Sequence, residues 1–190
     1  FLSLRTVSGI LNAATLTGVV TIGVTLLMIS GEFDLSVGSM MAIGGYLFGQ
    51  QAAKGTPLLG LLLALLIPAV LGALNGLILI ATRIPSFIVT LGTRSIYRGL
   101  AWIISGGALL QLTEDLPIYE ALNGRLEVVD KLFEGANFRT SLVWLLGLLL
   151  LVQYLLIRTD FGNHVFAAGG NRAAAAAQGV NIPRVKLVNF

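Results

Sequence analysis

The sequence predicts an all-α integral membrane protein, a polytopic bundle of transmembrane helices that is a fragment of a longer chain. Of its 190 residues, 56% are hydrophobic and 11% are charged, whereas an average soluble domain is about 25% charged. The mean hydropathy is +0.89. A soluble domain of this length could not bury so much apolar surface, so most of the chain must lie in lipid. Because the chain begins at Phe1 and stops at Phe190 inside an apolar run, we expect flanking helices on both sides.

Charge and cysteine content exclude several classes of protein. The formal net charge is +3, but the twelve basic residues are scattered singly and form no patch for nucleic acid. The excess of basic residues is better explained as a signal for the orientation of the loops across the membrane. The absence of cysteine excludes disulfides, thiol chemistry and cysteine-ligated metal.

Five segments approach the roughly 20 apolar residues that a membrane span needs. We place the spans at residues 9–29, 37–53, 58–82, 86–105 and 140–157, with the start of another at 185–190. The second segment is at the short limit for a span, and its glycine-rich sequence is equally typical of a broken or re-entrant helix. The sequence leaves both interpretations open.

A turn at residues 31–39 joins the first two spans and carries both acidic residues found before Glu114. Asp34 and Ser36 precede the helix that starts near Val37, and both residue types favour the N-cap, where a carboxylate also meets the positive end of the helix dipole. We therefore predict a helix cap and hinge. The alternative is that the polar residues of the turn line a path through the bundle; they are Glu32, Asp34, Ser36 and Ser39.

The third span, residues 58–82, is the most apolar and carries Asn75 beside the pair Gly72 and Gly76. This G-x-x-x-G spacing is typical of a helix-packing seam, in which Asn75 would bond to a neighbouring helix. Direct contact with a substrate is the alternative for Asn75.

The fourth span, residues 86–105, is less apolar and contains two arginines. Arg94 and Arg98 are four residues apart and share a helix face, with Thr90 nearby. Ionisable residues at membrane depth usually face the bundle interior or a watery cavity, so these side chains are candidates for lining a path. Snorkelling toward the interface and a structural ion pair are the alternatives.

Two polar segments set the predicted orientation. Residues 158–184 and the adjoining Lys186 hold four basic residues against the single acid Asp160, which predicts a cytoplasmic loop. Counting spans backward places the acidic loop of residues 106–139 on the periplasmic side, with short amphipathic helices against the membrane or a cavity mouth. The turn at residues 31–39 then lies on the cytoplasmic side.

Within the cytoplasmic loop the sequence predicts a short alanine helix. Asn171 can cap a helix from Arg172 to Gln178, and Gly179 can end it. Such a helix is too short to be stable alone. Held between two glycine turns, at Gly170 and Gly179, it would form a rigid knob suited to a groove on a partner; an ordinary surface turn is the alternative.

Three kinds of chemistry are missing from the sequence. It contains no G-x-x-x-x-G-K-[ST] phosphate loop, a single histidine without an H-x-x-x-H partner, and no G-x-S-x-G serine. We therefore expect no catalytic residues, no metal site and no cofactor in this chain.

Three stretches resemble the permease subunits of bacterial ABC importers for simple sugars of the ribose, xylose and galactose type. Residues 31–39, G-E-F-D-L-S-V-G-S, are similar to the family's G-G-x-D-L-S-V-G-S, although Glu32 stands where glycine is commoner. Residues 85–99, P-S-F-I-V-T-L-G-T-R-S-I-Y-R-G, resemble a second family stretch, with Arg94 at a commonly uncharged place. Residues 166–180 resemble the cytoplasmic coupling loop, without its usual early acid.

The resemblance implies a subunit of the bacterial inner membrane that moves a monosaccharide and draws its energy from separate ATPase subunits, which bind the ATP. It further implies a second permease subunit, identical or not, and a periplasmic sugar-binding protein. The residues that would contact the ATPase are those of the coupling loop: Gly169, Gly170, Asn171, Arg172, Ala173, Ala174 and Gly179. An alternative function is an ion-coupled secondary transporter with a charge relay of Asp34, Glu32, Arg94 and Arg98.

Overall fold

The computed structural model of the chain describes residues 3–108, 110, 116–133 and 135–190. In these ranges the secondary structure is helical, apart from an isolated bridge between Arg125 and Arg139. The described helices are α1 (Leu4–Ile29), α2 (Val37–Ala53), α3 (Pro57–Thr82), α4 (Ser86–Ser105), α5 (Pro117–Asn123), α6 (Glu127–Leu132), α7 (Thr140–Arg158), α8 (Asp160–Gly170), α9 (Arg172–Ala177) and α10 (Ile182–Asn189).

Three helices, α1, α3 and α7, are long and apolar enough to cross a membrane by length and composition. They contain the predicted spans at residues 9–29, 58–82 and 140–157 with shifts of a few residues. Helix α7 has no buried residue, and Leu150 is 68% exposed. A helix that is apolar all round and uncovered is suited to lipid.

Helices α2 and α4 have the bounds proposed for the spans at residues 37–53 and 86–105. Helix α2 is a continuous α-helix of 17 residues without an internal break. Whether α2 and α4 cross the membrane from side to side stays a prediction.

The chain divides into two compact units, of which the first contains residues 1–23 and 114–158. Within it, the Asn12 side chain donates to the Asn137 carbonyl at 2.6 Å, and the Asn137 N–H donates to Ser8 Oγ at 3.0 Å. Gly18 lies against the Leu145 side chain, so close that an added Cβ would be 2.9 Å from Leu145 Cδ1. These contacts join α1 to the segment that precedes α7 and to α7 itself.

The second unit, residues 24–113 and 159–190, holds the helices α2, α3 and α4. Helix α2 packs tightly on α3, since a Cβ added at Gly44 would lie 2.9 Å from the Ala64 carbonyl and one at Gly60 would lie 2.9 Å from the Phe48 carbonyl. Small residues permit this approach of two backbones. The core of the unit is a cluster of the buried side chains Met40, Ile43 and Tyr97.

The end of this unit is the run of short helices α8, α9 and α10. The Asn171 side chain accepts the Ala174 N–H and begins α9, and Gly179, at φ +88°, follows its end. The expectation of a glycine turn before α9 is wrong, because Gly169 and Gly170 are the last two residues of α8. Helix α8 starts where Thr159 accepts the Gly162 N–H, a capping bond that stabilises its first turn.

Candidate functional site

The turn between α1 and α2 is fixed at its start by the end of α1. The Glu32 N–H donates to the Leu27 carbonyl at 3.1 Å and the Gly31 N–H to the Met28 carbonyl at 3.0 Å. With Gly31 at φ +79°, these two bonds form a Schellman motif, which glycine favours because it lacks a Cβ. The motif determines where the Glu32 side chain leaves the backbone.

Glu32 is buried and paired with two cations from the far end of the chain. Its side chain is 4% exposed, and its Oε1 lies 2.6 Å from Arg172 Nη2 and 2.7 Å from Lys186 Nζ. Arg172 Nη2 also donates to the Gly31 carbonyl at 3.1 Å. A buried carboxylate is tolerated only when it is paired in this way. The contacts join the turn to the first residue of α9 and to the middle of α10.

The next residue of the turn, Phe33, is held by the beginning of α4. Its N–H donates to Ser86 Oγ at 3.0 Å, and its carbonyl accepts from Thr90 Oγ1 at 3.3 Å. Thr90 is fully buried and also donates to the Ser86 carbonyl at 2.8 Å. Thr90, a candidate for lining a path, therefore supports the turn in this structure.

A buried chain of hydrogen bonds runs from the turn across α3 to α4. Asp34 Oδ1 accepts both the Ser36 N–H and the Ser36 hydroxyl, each at 2.6 Å. Asn75 Nδ2 donates to Ser36 Oγ at 2.9 Å, and the Tyr97 hydroxyl lies 3.0 Å from Asn75 Oδ1 and also from the Leu71 carbonyl. Ser36 and Asn75 have no exposed surface. Networks of this kind stabilise one arrangement of the helices when each member is bonded.

This network changes the expected role of Ser36. Ser36 is the N-cap residue of α2, but its side chain makes no capping hydrogen bond. Its hydroxyl is engaged by Asp34 and Asn75 instead. The expectation that Asp34 and Ser36 cap α2 through their side chains is therefore wrong: Asp34 forms an Asx turn at the backbone of Ser36, before the helix.

The other face of the turn opens into a groove between α2 and α4, here called the α2–α4 groove, of about 530 Å³. Its charged lining consists of Asp34, Arg94 and Arg98, and its walls include the indole of Trp102. Ser39, which also lines it, donates to the Arg94 carbonyl at 3.1 Å and joins the two helices. Within the part of the chain that is described, neither arginine forms an ion pair, so both guanidinium groups are available to a ligand.

Glu32 lines a different cavity, of about 540 Å³, between α3, the start of α4, α9 and α10. Its cations are Arg83, Arg172 and Lys186, and its acid is Glu32. The residues proposed for a charge relay are therefore divided between two cavities, Glu32 in this one and Asp34 with both α4 arginines in the α2–α4 groove.

The coupling-loop candidates lie at or near the surface of the second unit. Asn171, Ala173, Ala174 and Gly179 are exposed, whereas Ala175 anchors α9 with 4% exposure. Gly169 contacts the Ile29 carbonyl so closely that a Cβ could not be added, whereas a Cβ at Gly170 would meet nothing within 4 Å. Gly169, and not Gly170, is thus the glycine that contacts the end of α1.

Sequence reasoning missed three residues that hold the site. Lys186 is treated there only as a topology charge, and Ser86 and Tyr97 appear only as residues of the fourth span, residues 86–105. Ser86 and Tyr97 bond to the turn or to its network across 53 or fewer residues of sequence. Lys186 bonds to the turn across most of the chain. A signal for Tyr97 was present, since a buried tyrosine needs a hydrogen-bond partner and Asn75 is polar within an apolar span.

Comparison with known proteins assigns the family. Residues 6–190 match the family described as the permease component of the branched-chain amino acid transport system. The chain is similar to the Escherichia coli inner membrane ABC transporter permease protein YjfF, with 31% identity over 95% of the chain and 54% of the relative. It is also similar to the xylose/arabinose import permease protein XylH of Sulfolobus acidocaldarius, with 33% identity over 91% and 47%.

A third relative is the Escherichia coli xylose transport system permease protein XylH, which is 32% identical over 100% of the chain and 62% of its own length. The chain spans about half the length of the curated relatives it matches. No solved structure matches it significantly. The apolar helices α1, α3 and α7 together with these relatives identify a multi-pass inner-membrane protein. The chain belongs to the family of branched-chain amino acid transport system permease components.

Proposed function

We propose that the whole protein is the membrane-spanning permease subunit of an ATP-binding-cassette importer that moves a monosaccharide of the ribose, xylose and galactose class. The observation that carries this proposal is the similarity of nearly the whole chain to permeases named for xylose and arabinose. In this proposal a separate ATPase binds and hydrolyses ATP, a second permease subunit completes the pathway, and a periplasmic binding protein delivers the sugar.

The family description names branched-chain amino acids, whereas we propose a sugar as the substrate. The α2–α4 groove offers a carboxylate, a serine hydroxyl and two guanidinium groups beside an indole ring. These groups can bind a small ligand with several hydroxyls and an apolar ring face, and the relatives named for xylose and arabinose favour a sugar over a branched-chain amino acid. We therefore propose that Ser39, Asp34, Arg94 and Arg98 line the sugar's path, while Asn75 and Thr90 support it from the interior.

The two arginines indicate which surroundings the groove faces in the assembled protein. Both are exposed on α4 in this chain. Charged side chains at membrane depth are costly in lipid and face protein or water. We propose that the groove faces the water-filled path and the second permease subunit, not the lipid.

Helix α9 is proposed to bind the ATPase on the cytoplasmic side. It begins at a capped residue and ends at a second Schellman motif, in which the Val180 N–H donates to the Ala175 carbonyl at 3.0 Å. Apart from Arg172, its exposed side chains, among them Ala173, Ala174 and Ala176, are methyl groups. A short, rigid, smooth helix of this kind is suited to insertion in a groove of a partner.

Uptake by membrane vesicles tests the proposal. Right-side-out vesicles that carry the full-length permease and its ATPase are loaded with ATP, and the binding protein is added to the outside. We expect accumulation of labelled xylose or ribose that needs internal ATP and continues when an uncoupler collapses the proton gradient. Accumulation that stops with the gradient while ATP is preserved would instead support an ion-coupled transporter.

The same vesicles test the substrate class. Unlabelled pentose should compete with the labelled sugar, and unlabelled leucine should leave its uptake unchanged. Competition by leucine and none by pentose would overturn the sugar assignment while leaving the ABC assignment in place.

A further inference from the structure

We infer that Glu32 is a positioning residue that clamps the coupling segment, residues 169–186, to the turn between α1 and α2. The clamp makes this turn move together with α9. The inference rests on the proposed function, because it concerns how movement at α9 reaches the path. It assigns a role to one carboxylate and two cations that the proposed docking and path-lining do not use.

The carboxylate of Glu32 is buried between two cations of the coupling segment. Glu32 Oε1 accepts from Arg172 Nη2 at 2.6 Å and from Lys186 Nζ at 2.7 Å. The side chain of Glu32 is 4% exposed and that of Lys186 is 14% exposed. A buried carboxylate keeps its partners, since losing them would leave a charge without solvent or counter-ion. The turn and the coupling segment are therefore joined by ion pairs whose separation would cost free energy.

Two further contacts place the same segments against each other. Arg172 Nη2 donates to the Gly31 carbonyl at 3.1 Å. The backbone of Gly169 contacts the Ile29 carbonyl, where no Cβ has room. The end of α8, the start of α9 and the middle of α10 thus contact the four residues from Ile29 to Glu32, and Glu32 itself contacts both α9 and α10.

The residues that follow Glu32 in the turn connect it to the α2–α4 groove. Phe33, next to Glu32, is bonded to Ser86 and Thr90 at the start of α4. Asp34 lines the groove and bonds to Ser36, which begins α2. A displacement of α9 that carries Glu32 with it would therefore move the N-terminal ends of α2 and α4, which are the two walls of the groove.

The test measures coupling in the assembled transporter, as sugar molecules moved per ATP hydrolysed. Glu32→Gln keeps the shape of the side chain and removes its charge. We expect this ratio to fall at least about fivefold, the lower end for energetic coupling between two sites, while ATP hydrolysis continues. Arg172→Met, whose side chain is 48% exposed in the wild type, should act in the same direction and should add little to Glu32→Gln in the double variant. Arg184→Met is the matched control, because Arg184 is an exposed arginine of the same segment.

A distance measurement separates clamping from mere stability. These 190 residues contain no cysteine, so within this part of the permease spin labels at Met28→Cys and Gln178→Cys report on the end of α1, just before the turn, and on the end of α9. We expect one narrow distance that is the same without nucleotide and with ATP bound, and a broad or nucleotide-dependent distance in Glu32→Gln. If the Glu32→Gln transporter does not assemble, the spin-label distance is measured in Arg172→Met with the same two labels, and the same change is expected.

The outcomes distinguish the two proposals. A wild-type transporter that moves no monosaccharide would refute the proposed function, while the spin-label distance would still test the clamp. A wild-type transporter that moves sugar, with an unchanged coupling ratio and distance in Glu32→Gln and Arg172→Met, would overturn the clamp. Additive losses in the double variant would also overturn it, because two residues that act through one contact are not additive.

Discussion

Glu32 and Arg172 are 140 residues apart in sequence, yet their side chains meet at 2.6 Å. The contact joins the turn after the first helix to the first residue of the helix that we propose binds the ATPase. Lys186 completes it from α10 at 2.7 Å. The turn is therefore a junction between the coupling segment and the helices that line the α2–α4 groove.

Replacement of Gly169 by alanine should destabilise the protein. The added Cβ would collide with the Ile29 carbonyl, and overpacking of this kind typically costs about 1–3 kcal/mol. Thermal unfolding of the purified full-length permease in detergent measures the effect. Gly170→Ala is the matched control, because the next glycine of the same helix has open space and alanine there should be neutral or stabilising. Equal effects of the two substitutions would contradict the close approach.

Replacement of Asn75 by alanine should break the buried network. It leaves the Tyr97 hydroxyl with only the Leu71 carbonyl and removes the donor to Ser36. Each buried hydrogen bond that is lost costs about 0.5–1.5 kcal/mol, which the same unfolding measurement detects. Asn163→Ala, at an exposed position of α8, should change stability by no more than about 0.5 kcal/mol. A stable Asn75→Ala protein would show that the network is dispensable.

Substitutions of Asp34 separate a structural acceptor from a charge relay. Asn retains an oxygen that accepts both Ser36 hydrogen bonds, so we expect Asp34→Asn to fold and to keep measurable uptake, because Asn and Asp are equivalent acceptors at such turns and the amide oxygen can still accept from a sugar hydroxyl. Asp34→Ala leaves the Ser36 hydroxyl with no acceptor at this position and should reduce folded protein. Loss of uptake in a folded Asp34→Asn protein would favour the ion-coupled alternative.

Replacement of Arg98 by glutamine should impair transport without impairing folding. Arg98 is exposed and lines the α2–α4 groove, and the loss of a hydrogen bond from a charged group to a ligand costs about 1.5–3 kcal/mol, or tenfold and more in uptake. Ile96→Ala provides the control, since Ile96 is 61% exposed on the same helix and does not line the groove. Uptake that is normal in Arg98→Gln would remove this arginine from the path.

The positions of the helices could be predicted because the cues are local. The apolar runs of α1, α3 and α7 and the polar breaks around α2 and α4 are visible within windows of about 20 residues. Asn171 and Gly179 mark the two ends of α9 in the same local way. The loop of residues 106–139 contains short helices, α5 and α6, in its described part, as its amphipathic pattern predicts.

The errors arose where contacts distant in sequence determine the structure. Gly170 suggested a turn because glycine is a poor helix former, but α8 continues through Gly170, and its approach to Ile29 requires a residue without a Cβ at Gly169 within the helix. Ser36 suggested a capping side chain, but Asp34 and Asn75 engage its hydroxyl. The pairing of Glu32 with Arg172 and Lys186 has no local signal, because periodicity says nothing about charges at opposite ends of a chain.

Crosslinking from α9 tests the central claim most directly. A single cysteine at Ala173, an exposed residue of α9, is the only thiol in this part of the permease because the chain has no cysteine of its own. In the assembled full-length transporter, a short bifunctional reagent should join Ala173→Cys to the ATPase subunit. The matched cysteine at the exposed Tyr119 of α5, in the proposed periplasmic loop, should give no such product. A crosslink to the ATPase from Tyr119→Cys and none from Ala173→Cys would contradict both the orientation and the docking role of α9.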